Sequence, residues 1–419
     1  MKYKLVSLGC KVNSYENNAV ASLLNDRGYF LSKDDDADII IINTCSVTAT
    51  ADQKSRQYIR RYRKKYPQAI IVVMGCYSQK RHEYIFKELG ADIVLGTSKR
   101  KDIPSLIDDY LKSREKVDVT EEDPRKYLYE ELGCSGYSEN IRAYLKIQDG
   151  CDNFCTYCLI PLVRGRSRSR HKDDIIQEAQ KMIENGYQEI VLTGVDVSSY
   201  GKDLENETLA SLINELSTLD GLKSLRISSI EESLISDELI SLIASRDNIA
   251  KHLHLSLQSG SKAVLHRMNR KYTPKEFLLT CKKLRSAIPD IALTTDVIVG
   301  FPGETEEEFM ESVDFIKQCD FNMLHVFPYS PREKTAAKLM KNQVDEKIKK
   351  ERVNRLIELS DNLWDKFTDK YLNKEVEVLI EEYNPLTKIN RGHTSNYIEV
   401  EIESDHSLVG KYVKTIYKK

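Results

Sequence analysis

The sequence predicts an α/β chain in three parts: an open parallel sheet, a partial (β/α)6 barrel and a small antiparallel β-barrel. Three patterns carry that expectation. Short β-branched runs alternate with charged helical stretches up to about residue 110; six strand candidates, each pair separated by a helical segment, fill residues 141–329; and the C-terminal stretch alternates apolar and polar positions strictly.

Taken in order, residues 3–8 (YKLVSL), 38–43 (DIIIIN), 70–74 (IIVVM) and 92–95 (DIVL) read as buried parallel strands. Residues 113–140 are charged, hold a Pro and two Gly and keep no period, which predicts a linker. Barrel strands are expected at 141–148, 189–194, 224–229, 251–258, 291–300 and 322–329. Residues 344–370 put Val353, Leu356, Leu359 and Leu363 on one face of an amphipathic helix. Beyond it Val376, Val378 and Ile380, then Ile398, Val400 and Ile402, then residues 411–417, alternate as short antiparallel strands do. The expected domains are 1–135, 136–370 and 371–419.

With 419 residues, 41% of them hydrophobic, the chain is long enough for two or three cored domains. The formal charge of −2, from 63 Lys and Arg against 65 Asp and Glu, leaves any nucleic-acid partner to local basic patches. MKYKLVSLGCK lacks the apolar core of a signal peptide, and no stretch approaches the roughly 18 apolar residues of a membrane helix, so a cytoplasmic protein with no membrane partner is expected. Nine cysteines in a reducing compartment point to metal or redox chemistry where they cluster.

Cys151, Cys155 and Cys158 follow the first barrel strand, at the carboxyl end where barrel enzymes place their chemistry. Clusters of the 4Fe-4S type usually take four thiolates, so three leave one iron for a ligand that is not protein. The alternative is a structural zinc site with a distant fourth ligand such as His171, but such sites normally show paired C-x-x-C units. Strand 251–258 carries His252, His254, Ser256 and Gln258 on one face, which implies a polar barrel interior. Two histidines at strand spacing also suit a metal, yet no acidic or Cys partner is near in sequence, and hydrogen-bonded lining is the preferred reading. Ser228 and Glu231 end another strand, and the Gly-Phe-Pro-Gly turn at 300–303 precedes a capping box of Thr305 and Glu308.

Cys10, Cys45 and Cys76 each come just after a strand of the first sheet, along the edge where open sheets bind ligands. One such cysteine is usually a buried hydrophobe, but three at equivalent strand ends point to a second three-coordinate cluster. Cys134, Cys281 and Cys319 show no such arrangement. Basic patches lie at Arg56, Arg60 and Arg63, interleaved with Tyr58, Tyr62 and Tyr66; at Arg164, Arg166, Arg168 and Arg170; and at Lys411, Lys414, Lys418 and Lys419. Charge runs are usually solvated faces, but three patches favour RNA over protein as partner.

C-x-x-x-C-x-x-C after the first strand of a barrel resembles the radical S-adenosylmethionine (SAM) superfamily. Together with LGCKVNSYE, NTCSVTATAD, LHLSLQSGS and DVIVGFPGETEEEF, it makes the whole chain similar to the methylthiotransferases. That resemblance implies an auxiliary-cluster domain on Cys10, Cys45 and Cys76, a radical SAM core on Cys151, Cys155 and Cys158, and an OB-like RNA-binding TRAM domain at the C-terminus. It also implies two 4Fe-4S clusters and two SAM: one donates a methyl to sulfur, the other yields a 5'-deoxyadenosyl radical. Tyr157 is then expected near the adenine and Gly194 near the methionine end, with Ser228, Glu231 and Gln258 also lining the cofactor. Arg56, Arg60, Arg166, Arg168 and Lys414 are expected to meet RNA. LGCKVNSYE and TATADQKSRQ look most like the enzymes acting on N6-threonylcarbamoyladenosine at tRNA position 37. N6-isopentenyladenosine and a ribosomal-protein aspartate are the alternatives, and a non-enzymatic iron-sulfur RNA-binding protein is the alternative of another class. The partners implied are a tRNA anticodon stem-loop, a sulfur source and an electron donor such as flavodoxin or ferredoxin, acting on a monomer. Lys334 stands where glycine is commoner in the family, and Asp196 after Gly194 is a second departure.

Overall fold

The computed structural model describes residues 1–34, 36–133 and 140–419; Cys134 and the expected boundary at 135 lie outside the described residues. The first part runs β1 (Lys2–Ser7), α1 (Lys11–Asp26), β2 (Phe30–Leu31), β3 (Ile39–Thr44), α2 (Ala49–Lys65), β4 (Ile70–Gly75), α3 (Cys76–Glu88), β5 (Ile93–Val94), α4 (Ile103–Ser113) and β6 (Val117–Asp118). Its sheet is wholly parallel in the order β2-β1-β3-β4-β5-β6. Helices cover both faces, which is why the central strands are apolar throughout. Ile39 and Ile41 pack with Leu24 of α1 and Ile107 of α4; Ile40 and Ile42 pack with Ile59 of α2 and Ile85 of α3. The segment expected as a linker is corrected in part, because Val117–Asp118 pairs with β5 and extends the sheet. Two residues are too short for any period to show.

The second part holds β7 (Ala143–Lys146), β8 (Gln148–Asp149), α5 (Ile160–Val163), β9 (Arg168–Ser169), α6 (Lys172–Glu184), β10 (Glu189–Thr193), α7 (Leu209–Leu216), β11 (Ser224–Ile227) and β12 (Ser229–Ile230). It continues through α8 (Asp237–Ser245), β13 (His252–Gln258), α9 (Lys262–Met268), α10 (Pro274–Ala287), β14 (Ala292–Val299), α11 (Glu306–Cys319), β15 (Met323–Pro328), α12 (Ala336–Leu339) and α13 (Glu346–Asp369). Every expected barrel strand is present and pairs in parallel, β11-β10-β7 on one side and β12-β13-β14-β15 on the other. The two meet where the strand at 224–230 breaks at Ser228 and Leu225 bridges Ile249. Strands β7 and β15 are sheet edges, so the barrel has an open side. Helix α1 lies along β7, with Tyr15 and Ala19 packed near Tyr144. Thr305 and Glu308 form the expected capping box of α11, and Val353, Leu356, Leu359 and Leu363 face the barrel core from α13.

The C-terminal part is an antiparallel curled sheet of β16 (Glu375–Asn384), β17 (Ile389–Thr394), β18 (Glu399–Glu403) and β19 (Tyr412–Ile416), in the order β18-β17-β16-β19. Val378, Ile380, Ile398 and Val400 pack on Phe367 of α13. Strand β17 was not expected: INRGHT has poor strand propensity, and its two neighbours in the ladder impose the conformation.

Candidate active site

Cys151, Cys155 and Cys158 sit on the loop after β8, whose ends are clasped by the antiparallel pairing of β8 with β9. Cys151 N–H donates to Gly165 O at 3.1 Å, and Thr156 N–H donates to Met268 O at 3.0 Å, tying the loop to the end of α9. Each sulfur accepts a hydrogen bond: Asn153 N–H to Cys151 Sγ at 3.5 Å, Ile160 N–H to Cys158 Sγ at 3.4 Å and Arg270 to Cys155 Sγ at 3.3 Å. Burial pushes the Cys151 thiol up strongly and the Cys158 thiol to about 12, so a metal that replaces the proton relieves a cost already built in.

Cys10 caps the start of α1, Cys45 follows β3 and Cys76 opens α3, so the parallel sheet brings all three to one edge. Two glycines permit this. At Gly9, φ is +115° and a Cβ would stand 2.8 Å from Cys45 Sγ; at Gly75, φ is +102° and a Cβ would strike Thr44 O at 2.4 Å. Cys76 is pushed up to about 12 by burial, against the pull of Arg164, whose Nε–H donates to its sulfur at 3.3 Å.

Arg164 lies six residues beyond Cys158, in the same polypeptide loop, yet reaches the other trio. Its guanidinium also donates to Glu16 at 2.8 Å, Asp149 at 3.1 Å and Asn13 at 3.1 Å. Around Glu16, Arg100 at 2.6 Å and Lys146 at 3.2 Å complete a buried ionic cluster between the first sheet and the barrel. Buried charges persist only when paired in this way.

Residues 145–316 match the Radical SAM superfamily, and residues 2–96 match an uncharacterized protein family, UPF0004. The "Threonylcarbamoyladenosine tRNA methylthiotransferase MtaB" of Bacillus subtilis is 46% identical over 97% of this chain and 92% of its own length. The "tRNA-2-methylthio-N(6)-dimethylallyladenosine synthase" of Thermoanaerobacter pseudethanolicus is 39% identical over 98% and 88%. The chain belongs to the radical SAM tRNA methylthiotransferases. Membership implies SAM and a 4Fe-4S cluster. A radical SAM methyltransferase, TsrM of Kitasatospora setae, shares the fold, with TM-score 0.59 at 15% identity over 78% of this chain and 72% of that one.

In this methylthiotransferase, of the residues expected at SAM, Tyr157 lies on the Cys151 loop, Glu231 touches that loop and Gly194 packs on the strand leading into it. Tyr157 meets Phe301 of the Gly-Phe-Pro-Gly turn edge-on at 6.2 Å. Buried Glu231 accepts from Asn153 at 2.6 Å and pairs with Arg270 at 3.5 Å. Gly194 lies so near Gln148 that a Cβ would sit 3.0 Å from its Oε1, and that oxygen accepts from Val195 N–H and Asp196 N–H. Ser228 is buried at the strand break. Gln258 has φ +66°, and the ladder with β14 slips between Leu255 and Gln258, so simple alternation does not carry its side chain onto the face of His252 and His254. Gln148, Asn153 and Arg270 were not anticipated; Arg270 arrives from beyond α9, and only the third dimension puts it at Cys155.

The arginine patch after Cys158 is corrected. Arg164 and Arg170 are 1% exposed and Arg168 7%. Arg168 donates to Arg164 O at 2.6 Å and pairs with Asp149 at 3.3 Å, and Arg170 holds Glu131 at 2.6 Å and Glu178. Their charge is turned inward, which removes Arg168 from the phosphate-facing set. Arg166 is exposed, over the Phe154 ring at 5.1 Å and paired with Asp152. Arg60 is exposed, with its guanidinium on Tyr84, while Arg56 is half-buried against Tyr77. Tyr58, Tyr62 and Tyr66 stack on one another and against the core, so they do not form an open base-stacking platform. Lys414 is exposed beside Glu375 at 3.6 Å.

His254 has an acidic neighbour, brought from a strand distant in sequence. Asp296 of β14 lies 3.2 Å from His254 Nε2, and His325 of β15 lies 5.3 Å from the same ring. Parallel pairing of three separate strands assembled this group.

Proposed function

We propose that the chain converts N6-threonylcarbamoyladenosine, beside the tRNA anticodon, to its 2-methylthio derivative with two 4Fe-4S clusters and two SAM. The observation that carries the substrate is the 46% whole-chain identity to a relative named for threonylcarbamoyladenosine, against 39% to one named for dimethylallyladenosine.

The donor sets fit the groups implied. Each sulfur of the Cys151, Cys155 and Cys158 trio accepts an N–H, and in the second trio the buried Cys76 accepts one from Arg164, contacts that favour thiolate over thiol. Cys151, Cys155 and Cys158 would hold the radical cluster, and Cys10, Cys45 and Cys76 the auxiliary one. When bound, these groups supply the electron that cleaves SAM and the sulfur that leaves as methylthio, chemistry that is the cofactor's own. The chain supplies position. Gln148 fixes the Gly194–Asp196 turn against the Cys151 loop, Glu231 and Asn153 close its flank, and Arg270 offers a fixed cation to Cys155. Arg164 holds the second trio in register with the first. Arg56, Arg60, Arg166 and Lys414 support RNA binding, with the C-terminal sheet read as a TRAM domain and the expected domains 1–135, 136–370 and 371–419 as working units.

The test is anaerobic turnover of reconstituted protein with SAM, a reductant and bulk tRNA, read by nucleoside mass spectrometry. Appearance of 2-methylthio-N6-threonylcarbamoyladenosine supports the proposal. Methylthiolated isopentenyladenosine instead would overturn the substrate, and full product from a Cys10→Ala, Cys45→Ala, Cys76→Ala protein would overturn the second cluster.

A further inference from the structure

Strands β13, β14 and β15 place His252, His254, Asp296 and His325 beside the open side of the barrel. His325, on the edge strand, is exposed. Across the opening, α1 lies along β7, and its first residue is Lys11, next to Cys10. Lys11 is half-buried and makes no hydrogen bond or ion pair among the described residues. It stands near enough to His252 and His325 to help hold both imidazoles neutral, after burial and nearer groups. A lysine in the first turn also opposes the helix dipole, so helix stability does not explain it.

The hydrogen-bond chain inside is incomplete. Thr294 has one hydroxyl proton and two imidazole neighbours, His254 Nδ1 at 3.0 Å and His252 Nε2 at 3.1 Å, so it can donate to only one of them. Among the described residues, the buried His252 Nδ1 has no hydrogen-bond partner. The carboxylate of Asp296 is taken up by His254 at 3.2 Å, and a half-buried ammonium without an ion pair among the described residues favours an anion.

We propose that Lys11, His325 and the Asp296–His254 pair form a subsite for the carboxylate end of an acidic N6 substituent on the substrate adenosine. This rests on the threonylcarbamoyl reading above. That substituent ends in a carboxylate and carries a hydroxyl and ureido N–H groups, whereas the dimethylallyl group is wholly apolar. A site built from polar groups rejects an analogue that leaves them unpaired. The position beside Cys10 sets the base carrying that substituent close to the auxiliary trio.

The test measures affinities of the reconstituted full chain for anticodon stem-loops bearing adenosine, threonylcarbamoyladenosine or isopentenyladenosine, and for SAM without RNA. Lys11→Met and His325→Leu are the variants, with Lys11→Arg as the conservative control; both positions lie outside the core, and thermal melting checks folding. Expected is a weakening of about tenfold to a hundredfold for the threonylcarbamoyl loop alone, the worth of one charged hydrogen bond, largely restored by arginine. Equal weakening for all three loops makes these residues phosphate contacts and overturns the subsite. Loss of SAM affinity instead assigns the carboxylate to the methionyl end of SAM and overturns it too. Unchanged threonylcarbamoyl affinity in both variants overturns the subsite alone. Wild-type protein that turns over only the isopentenyl loop overturns the proposed substrate, and the subsite with it.

Discussion

Glu16 is the keystone of the junction between the first sheet and the barrel, and Glu16→Gln tests this with little change of shape. The carboxylate is fully buried and shared by Arg100 at 2.6 Å, Arg164 at 2.8 Å and Lys146 at 3.2 Å. Among the described residues, the amide leaves those three cations with Asp149 and Glu130 as counter-charges. Removing one partner from a buried ion pair costs about 3–5 kcal/mol, and because Asp149 and Glu130 remain, the lower end applies. A loss of about 3 kcal/mol lowers amide protection by about a hundredfold. Hydrogen exchange of peptides covering α1 and β7 is the assay, since a chain of several domains need not unfold in two states. The pH dependence gives a second check. Burial by itself raises the Glu16 pKa, but Arg100, Arg164 and Lys146 outweigh it and hold the group well below the usual carboxylate range. A depressed folded pKa gives stability that is complete above the unfolded value of about 4.3 and is lost as pH falls through the folded one. The gap between wild type and Glu16→Gln therefore closes on acidification. Equal protection at pH 7, or a gap that persists unchanged into strong acid, would refute the reasoning.

Arg332, 4% exposed, joins the segment after β15 to the first sheet through Asp52 at 2.7 Å and Ser46 O at 2.9 Å; Arg332→Ala is expected to cost about 2 kcal/mol and to speed proteolysis around residues 45–55. Unchanged cleavage would count against that junction. Lys334 has φ +67°, so Lys334→Gly relieves left-handed strain and is expected to add about 1 kcal/mol, seen as a higher melting temperature. Glu232 is pushed up to about 7 by burial and then by Glu231, so the folded state holds its proton more tightly than the unfolded chain. Its stabilising share is present below about pH 4.3 and fades as pH rises through 7; Glu232→Gln should flatten that slope in melts taken from pH 5 to 8, and an unchanged slope would point elsewhere.

The sequence by itself determined what is local: strands that are apolar on both faces, the cysteine spacing at 151–158, the capping box at Thr305, and the position of Cys10, Cys45 and Cys76 just after strands. Those features repeat over a few residues, and parallel topology then forces strand ends onto one edge. The tertiary structure alone decided the fate of charges. Arg164, Arg166, Arg168 and Arg170 look equivalent along the chain, yet three are buried against Glu16, Asp149, Glu131 and Glu178, and one faces solvent. Likewise His254, Asp296 and His325 come from three strands separated by whole helices, and Arg270 reaches Cys155 from beyond α9. Pairing between residues far apart in sequence leaves no local period, because a buried charge is satisfied by whichever partner the packing brings to it.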